Sequence, residues 1–147
     1  MLRGDYEWND GKLLLNNSQI CLISRHSISL DELPNLPRII QKMDHTAQKD
    51  DHKWWYEHFS SPPSIFMEVN RPGTCKEMVM QGLGYCILPK YMFKKEELTE
   101  DLFILPLTHI DGQPFLRSLW ALYREEDTTF TVVKAFVEYL KQHYNLN

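Results

Sequence analysis

The chain has 147 residues, of which 43% are hydrophobic and 24% are charged, as is ordinary for a globular protein with a substantial core. Its 16 Lys and Arg residues against 20 Asp and Glu residues give a formal net charge of −4, which argues against a broad nucleic-acid-binding face. No apolar run approaches the ~20 residues that a membrane span needs, and the first five residues lack the layout of an export signal. We therefore expect a protein that acts in the cytoplasm, without a membrane partner.

The cysteines and histidines do not form a recognisable metal or disulfide pattern. Cys21, Cys75 and Cys86 cannot all pair within one chain and none belongs to a CxxC motif, so we expect reduced, buried thiols. His52 and His58 lie six residues apart, a spacing that a helix would turn ~240° away from each other. We predict no metal site and no cofactor.

The first predicted elements alternate strand and helix. Gln19–Ser24 is an apolar run that predicts a strand buried on both faces. Ser29 and Glu32 have the spacing of a capping box, and Pro34 keeps the helix that they open short. A short strand is predicted at Arg38–Ile40.

A polar loop at residues 44–50 is predicted to precede a second helix. Asp51 would cap this helix, and Trp54, Trp55 and Phe59 recur at helical spacing to form one aromatic stripe. Core packing against the sheet is the favoured interpretation, because a short helix must bury its apolar face. A binding platform for an aromatic ligand or a partner protein is the alternative.

Residues 65–93 read IFMEVNRPGTCKEMVMQGLGYCILPKYMF and carry the strongest pattern. They predict a strand at Ile65–Val69, a helix opened by the capping box Thr74 to Glu77, a left-handed helix end at Gly82, and a buried strand at Tyr85–Leu88. Further strands are predicted at residues 102–107 and 118–123, followed by an amphipathic helix at 129–144. Strands that alternate with helices predict an α/β domain with a largely parallel sheet.

The start of the helix after Val69 is a candidate anion site. A strand that leads through a turn into a helix points backbone N–H groups and the positive end of the helix dipole toward the C-terminal edge of the sheet. Open α/β sheets bind small ligands at that edge, and Arg71 adds a cation beside the turn. A carboxylate or another small anion suits this place. The alternative is that Thr74 only caps its helix and Arg71 is solvated.

The same segment resembles the LysR substrate-binding domain, in which a strand, a ligand-contacting loop and a helix precede the pattern GLGxxxLP. Upstream, Leu2-Arg3-Gly4-Asp5 resembles the end of the strand on which such domains cross from their first lobe to their second. Downstream, residues 105–107, the strand at 119–124 and the final helix match the closing elements of the family in order. The resemblance covers nearly the whole chain.

The resemblance implies a fold and a domain division. The fold is α/β: a Rossmann-like lobe of a type-2 periplasmic-binding-protein fold, with a partial first lobe formed by the chain ends. Residues 16–124 would be regulatory lobe II, and residues 1–15 and 125–147 would be a remnant of lobe I. The opening strand and helix of lobe I, and the winged helix-turn-helix of the family, would lie before Met1, so that the chain would be a fragment.

The resemblance also implies a function and site residues. Family members bind an inducer between the two lobes, so this chain would be the effector-sensing domain of a bacterial LysR-type transcription regulator for a small anionic metabolite. Ligand-facing positions of the second lobe match Asn70, Arg71, Gly73 and Thr74, and Arg3 matches a crossover-strand position that meets an inducer carboxylate in some relatives. Leu83 departs from the pattern, because some relatives place a polar ligand contact there.

Partners follow from the same resemblance and from the chain ends. Relatives dimerise through their effector domains, and the final helix and first strand would expose an apolar face and an unpaired sheet edge in a monomer. We expect a homodimer or higher homo-oligomer, which meets DNA only through a domain that precedes this chain.

Two rival functions belong to other classes. A freestanding solute-binding protein shares the two-lobe fold but is usually exported behind a signal segment. A Cys-dependent enzyme would use Cys75, whose place at a helix N-terminus lowers a thiol pKa. Its spacing with Met78 and Val79 puts Cys75 on the apolar stripe, where an inert thiol is expected. We therefore predict no catalytic residue.

Overall fold

The structure is a computed structural model that describes residues 1–4, 6–97 and 101–146. The described part contains seven strands: β1 (Leu2–Arg3), β2 (Gly11–Ser24), β3 (Arg38–Gln41), β4 (Ile65–Val69), β5 (Cys86–Pro89), β6 (Phe103–Pro106) and β7 (Leu116–Tyr123). It also contains three α-helices: α1 (His45–His58), α2 (Pro72–Met80) and α3 (Thr131–His143). Short 3₁₀ helices lie at Leu30–Asn35, Lys90–Met92, Lys95–Glu97 and Glu125–Thr129.

The chain forms two compact units. One consists of Met1–Ser18 with Arg117–Asn147, and the other of Gln19–Leu116. In the first unit, β1 pairs antiparallel with β7, which lies beside β2, and Leu15, Ala121 and Leu140 form a small buried cluster under α3. The assignment of the two units to lobe I and lobe II of the family remains a prediction.

The strands of the second unit belong to two sheets and pair in both directions, so the expectation of a largely parallel sheet is wrong. Strand β3 runs parallel to β4, and Arg38 forms a parallel bridge to Tyr85 just before β5. Strand β2 runs antiparallel to both β5 and β6, with Leu22 opposite Ile87 and Leu105. The strand–helix alternation that predicted parallel pairing describes β3, β4 and β5, whereas β2 enters this unit from the other unit and runs against its neighbours.

Helices α1 and α2 pack on opposite sides of β2 and β5, as the alternation of side chains along β2 shows. The α2 side buries Cys21 and Ile23 of β2, together with Ile39, Val69, Cys75, Val79, Cys86 and Leu88. The α1 side buries Ile20 and Leu22, together with Leu33, Trp54, Trp55, Tyr85, Ile87 and Phe115. The aromatic stripe of α1 is therefore core, as predicted. The indole N–H groups of Trp54 and Trp55 donate to the carbonyls of Thr108 and Ser61, both at 2.8 Å.

One predicted helix start is confirmed and the start of α1 is displaced. The capping box at Ser29 is confirmed, since its backbone N–H donates to the Glu32 carboxylate at 3.0 Å. Helix α1, however, begins at His45 after the cap Asp44, whose carboxylate accepts from the Ala47 N–H at 2.8 Å. The predicted loop at residues 44–50 is thus mostly helical, and Asp51 is a buried residue inside α1 rather than its cap.

Candidate functional site

The candidate anion site lies at the junction of β4 and α2. Strand β4 ends at the buried Val69, and the next two residues, Asn70 and Arg71, are exposed. Arg71 is the extended N-cap residue of α2, with φ −120° and ψ 137°, and Pro72 is the first helical residue. Proline suits this position because its fixed φ matches the helix and its missing N–H would have no partner there.

The first turn of α2 leaves backbone donors without a side-chain cap. The first intrahelical bond runs from the Cys75 N–H to the Arg71 carbonyl at 3.3 Å, so the N–H groups of Gly73 and Thr74 precede the helical ladder. No side chain of the N-cap residue accepts from them. The predicted capping box at Thr74 is wrong, because the helix begins at Pro72 and Thr74 is its third residue.

The residues at the start of α2 are exposed to solvent, whereas the residue that follows them is buried. Asn70, Arg71, Gly73 and Thr74 are all exposed, whereas Cys75, the next residue of the helix, is fully buried. A Cβ added at Gly73 would meet nothing within 4 Å, so a ligand can approach the backbone there. The four predicted residues of this unit are thus brought together at one place.

The cation nearest along the helix is engaged elsewhere. The Lys76 ammonium donates to the Met92 carbonyl and to the Glu97 carboxylate, each at 3.0 Å. The backbone N–H of Lys94 and then the Lys76 ammonium lower the pKa of Glu97 by hydrogen bonding. Arg71, by contrast, is exposed at the helix start.

Arg3 lies in the other unit, in strand β1 opposite Leu119, where it is half-buried and engaged in an interaction. Leu83, the position that departs from the family pattern, follows the end of α2 and is 46% exposed. Gly82 before it has φ +75°, which confirms the predicted left-handed end of the helix.

The buried ion pair between Arg38 and Asp51 was not predicted from the sequence. The Arg38 guanidinium, at the start of β3, donates to the Asp51 carboxylate of α1 at 2.5 Å, with side chains only 2% and 12% exposed. A signal for it existed, because Asp51 precedes Trp54 and Trp55 by three and four residues and so shares their buried helix face. A charge on an apolar face predicts an opposite charge facing it.

The thiol proposed for the enzyme alternative is inaccessible. Cys75, Cys86 and Cys21 are all free and each is 0% exposed. A hydrogen bond with Cys86 lowers the pKa of the Cys75 thiol against the opposing effect of burial, while the same bond and burial raise the pKa of Cys86. Across the described residues, no cluster of His, Cys, Asp or Glu is suited to a metal ion, and no helix is long and apolar enough to cross a membrane.

Comparison with known proteins identifies the class of this domain. The regulatory domain of Synechocystis PCC6803 CcmR, solved in complex with 2-PG, superposes with a TM-score of 0.75 at 16% identity and covers 97% of this chain and 71% of that one. The effector-binding domain of QuiR, solved in complex with shikimate, gives a TM-score of 0.66 at 16% identity over 97% of this chain and 70% of that one. The fold is therefore that of a LysR-type effector-binding domain, which is type-2 periplasmic-binding-protein-like.

Sequence comparison gives the family. Residues 11–145 match the model of the LysR substrate-binding domain, and the chain belongs to this family. A relative in Bacillus subtilis (strain 168), "Uncharacterized HTH-type transcriptional regulator YraN", is 33% identical over 141 residues, which are 96% of this chain and 48% of that protein. The chain spans about half the length of the curated relatives that it matches.

Proposed function

We propose that this chain senses a small anionic metabolite for a transcription regulator, and that the start of α2 is its principal anchor in the second unit. The observation that carries the proposal is the exposed, uncapped first turn of α2, where the N–H groups of Gly73 and Thr74 follow directly on Arg71. An anion at a helix start gains from these donors and from the helix dipole together.

The chemistry of the neighbouring residues supports an anion over a neutral ligand. Arg71 offers a planar fork of donors that suits a carboxylate or phosphate, and the exposed Asn70 amide adds a donor and an acceptor beside it. Relatives of this fold have been solved with 2-PG and with shikimate, which supports a small metabolite as the ligand class here. Each charge-assisted hydrogen bond contributes about 1.5–3 kcal/mol where water is excluded.

Calorimetric titration tests this proposal after an anionic metabolite has been found by thermal-shift screening. We expect Arg71→Gln to weaken binding by roughly tenfold to a hundredfold. Lys49→Gln, which removes one exposed positive charge from α1, is the matched control and should leave the affinity unchanged. Equal affinities for the parent, Arg71→Gln and Thr74→Ala would show that the anchor lies elsewhere.

The role of Arg3 in ligand binding rests on the family resemblance and is a separate proposal. Its loss should weaken binding of the same metabolite by roughly tenfold to a hundredfold if its guanidinium meets the ligand carboxylate. Arg3→Ala is tested in the same titration, with circular dichroism to verify that β1 and the fold are retained. Unchanged affinity would restrict the site to the second unit.

We also propose that the chain self-associates, as part of a cytoplasmic regulator that reads DNA through another part of the protein. One face of α3 exposes Val132 (80%), Phe136 (51%) and Tyr139 (55%), and the two-residue strand β1 lies at the end of its sheet. Contacts between copies would remove these apolar side chains from water. Light scattering that shows a monomer at high concentration would contradict self-association.

If another part of the protein reads DNA, this chain should not bind an operator by itself. A chain with a net charge of −4 should give no operator-specific mobility shift at physiological salt by itself. A shift specific for one operator over random DNA would contradict this part of the proposal.

A further inference from the structure

A second candidate site lies within the same unit, away from the start of α2. It is a cavity of about 270 Å³ between α1 and the strands β3 and β4, and none of the residues at the candidate anion site lines it. Pockets for drug-sized ligands occupy about 300–1,000 Å³, so a molecule held here is a single small metabolite rather than a nucleotide.

The strands place charged side chains on the face that α1 covers. Arg38 and Ile40 of β3 both line this cavity, and the register pairs Ile40 with Glu68 of β4, which lines it too. Helix α1 contributes Asp51 and Trp55 to the same cavity. Two carboxylates and one guanidinium therefore line a space of this size, with apolar walls formed by Trp55, Pro62, Pro63 and Ile65.

Arg38 has donor capacity that the protein does not use. Its guanidinium is bonded to Asp51 and lies 5.5 Å from the centre of the Trp55 ring. Its Nε is buried and, within the described part of the chain, has no hydrogen-bond partner. Buried guanidinium N–H groups are normally satisfied, and an arginine with five donors can serve two carboxylates at once. Because Arg38 also lines the cavity, a bound molecule could bring the acceptor that this guanidinium lacks.

Glu68 supplies the complementary charge. Asp51 is neutralised by Arg38, whereas the exposed Glu68 forms no ion pair with any described residue. The cavity therefore offers a donor at Arg38 and an uncompensated negative charge at Glu68. A purely anionic ligand would be repelled by Glu68, and a purely cationic ligand would leave the spare donor of Arg38 unused.

We propose that this cavity binds a small α-amino acid with an aliphatic side chain. The carboxylate faces Arg38, the ammonium group faces Glu68, and the side chain packs against Trp55 and the Pro62-Pro63 wall. This site is independent of the anion site at α2, so either can be absent without affecting the other.

The test uses L-leucine and two analogues that each lack one charged group. Titrations of the 147-residue chain, followed by NMR and calorimetry, compare L-leucine with 4-methylpentanoate, which lacks the ammonium group, and with 3-methylbutylamine, which lacks the carboxylate. We expect L-leucine to bind at least about tenfold more tightly than either analogue. Absent binding of L-leucine, or equal binding of all three compounds, would overturn the proposal.

Variants distinguish specific binding from loose association. Glu68→Gln, at an exposed position, should weaken L-leucine by about tenfold while the affinity for 4-methylpentanoate stays the same or improves. Glu77→Gln removes an exposed carboxylate from α2, outside the cavity, and should change neither affinity. If both variants alter L-leucine binding equally, general electrostatics rather than this cavity is responsible. Arg71→Gln should leave L-leucine binding intact, which separates this site from the proposed effector site.

Discussion

Arg71 and Arg38 lie in the same unit, and their surroundings assign them different tasks. Arg71 lies exposed at the N-cap position of α2, where its charge is solvated and available to a ligand. Arg38 begins β3 inside the protein, with its side chain 2% exposed, and bonds to Asp51 of α1. A solvated arginine costs little free energy of folding and is available to a ligand. A buried arginine needs a partner in the protein that offsets the cost of its desolvation.

The two arginines should differ most in their contribution to the stability of the protein. Arg38→Ala leaves the Asp51 carboxylate buried without its partner, and we expect a loss of about 3–5 kcal/mol in the free energy of unfolding. Arg71→Ala, on the surface, should change this free energy by no more than about 0.5 kcal/mol. Urea denaturation followed by circular dichroism measures both.

A double variant tests whether the loss comes from the unpaired charge. Replacing both partners, as Arg38→Met with Asp51→Leu, removes the charges together and should restore much of the stability that Arg38→Ala loses. A double variant as unstable as Arg38→Ala would show instead that Arg38 acts through packing, for example against Trp55.

A further prediction concerns the reactivity of the buried thiols. Cys75 follows directly on the exposed Thr74, yet its side chain is 0% exposed. A lowered pKa favours the reactive thiolate of Cys75, but burial denies iodoacetamide access to it. We expect alkylation of the native chain to be slower than in urea by at least a factor on the order of a hundred, because the reaction waits for an opening of the structure. Rapid labelling of Cys75 in the native chain below pH 7 would revive the enzyme alternative.

Gly84 and Gly73 differ in the space that surrounds their backbone. A Cβ at Gly84 would approach the Pro37 carbonyl oxygen to 2.5 Å, so Gly84→Ala must displace backbone and should destabilise by about 1–3 kcal/mol. Gly73→Ala adds its methyl group in open space and should be neutral or stabilising by about 0.4–1 kcal/mol. Thermal unfolding of the two variants gives the comparison directly, and equal losses would contradict it.

The sequence predicted the exposed start of α2 better than the buried Arg38–Asp51 pair. Asn70, Arg71, Gly73 and Thr74 follow a strand and precede a helix, which local pattern alone makes visible, and the structure brings the four together at the start of α2. The Arg38–Asp51 pair joins residues thirteen apart on a strand and a helix, and neither local pattern required the other. The antiparallel run of β2 was likewise missed, because strand direction depends on how the chain enters the unit and not on periodicity.

The smallest predicted effect separates a cap from a ligand contact. Asp44 caps α1 through its carboxylate, so Asp44→Ala should lose about 1 kcal/mol of stability. Thr74 is the third residue of α2 and forms no cap, so Thr74→Ala should change stability by less than about 0.5 kcal/mol. Its effect should instead appear in the affinity for an anionic metabolite, because Thr74 is an exposed residue of the uncapped first turn. The pair of variants is measured by urea denaturation and by calorimetric titration with the metabolite found in the screen. A Thr74→Ala variant that loses about 1 kcal/mol of stability and keeps full affinity would make Thr74 a structural residue. Asn70, Arg71 and the backbone would then remain as the proposed anchors in this unit.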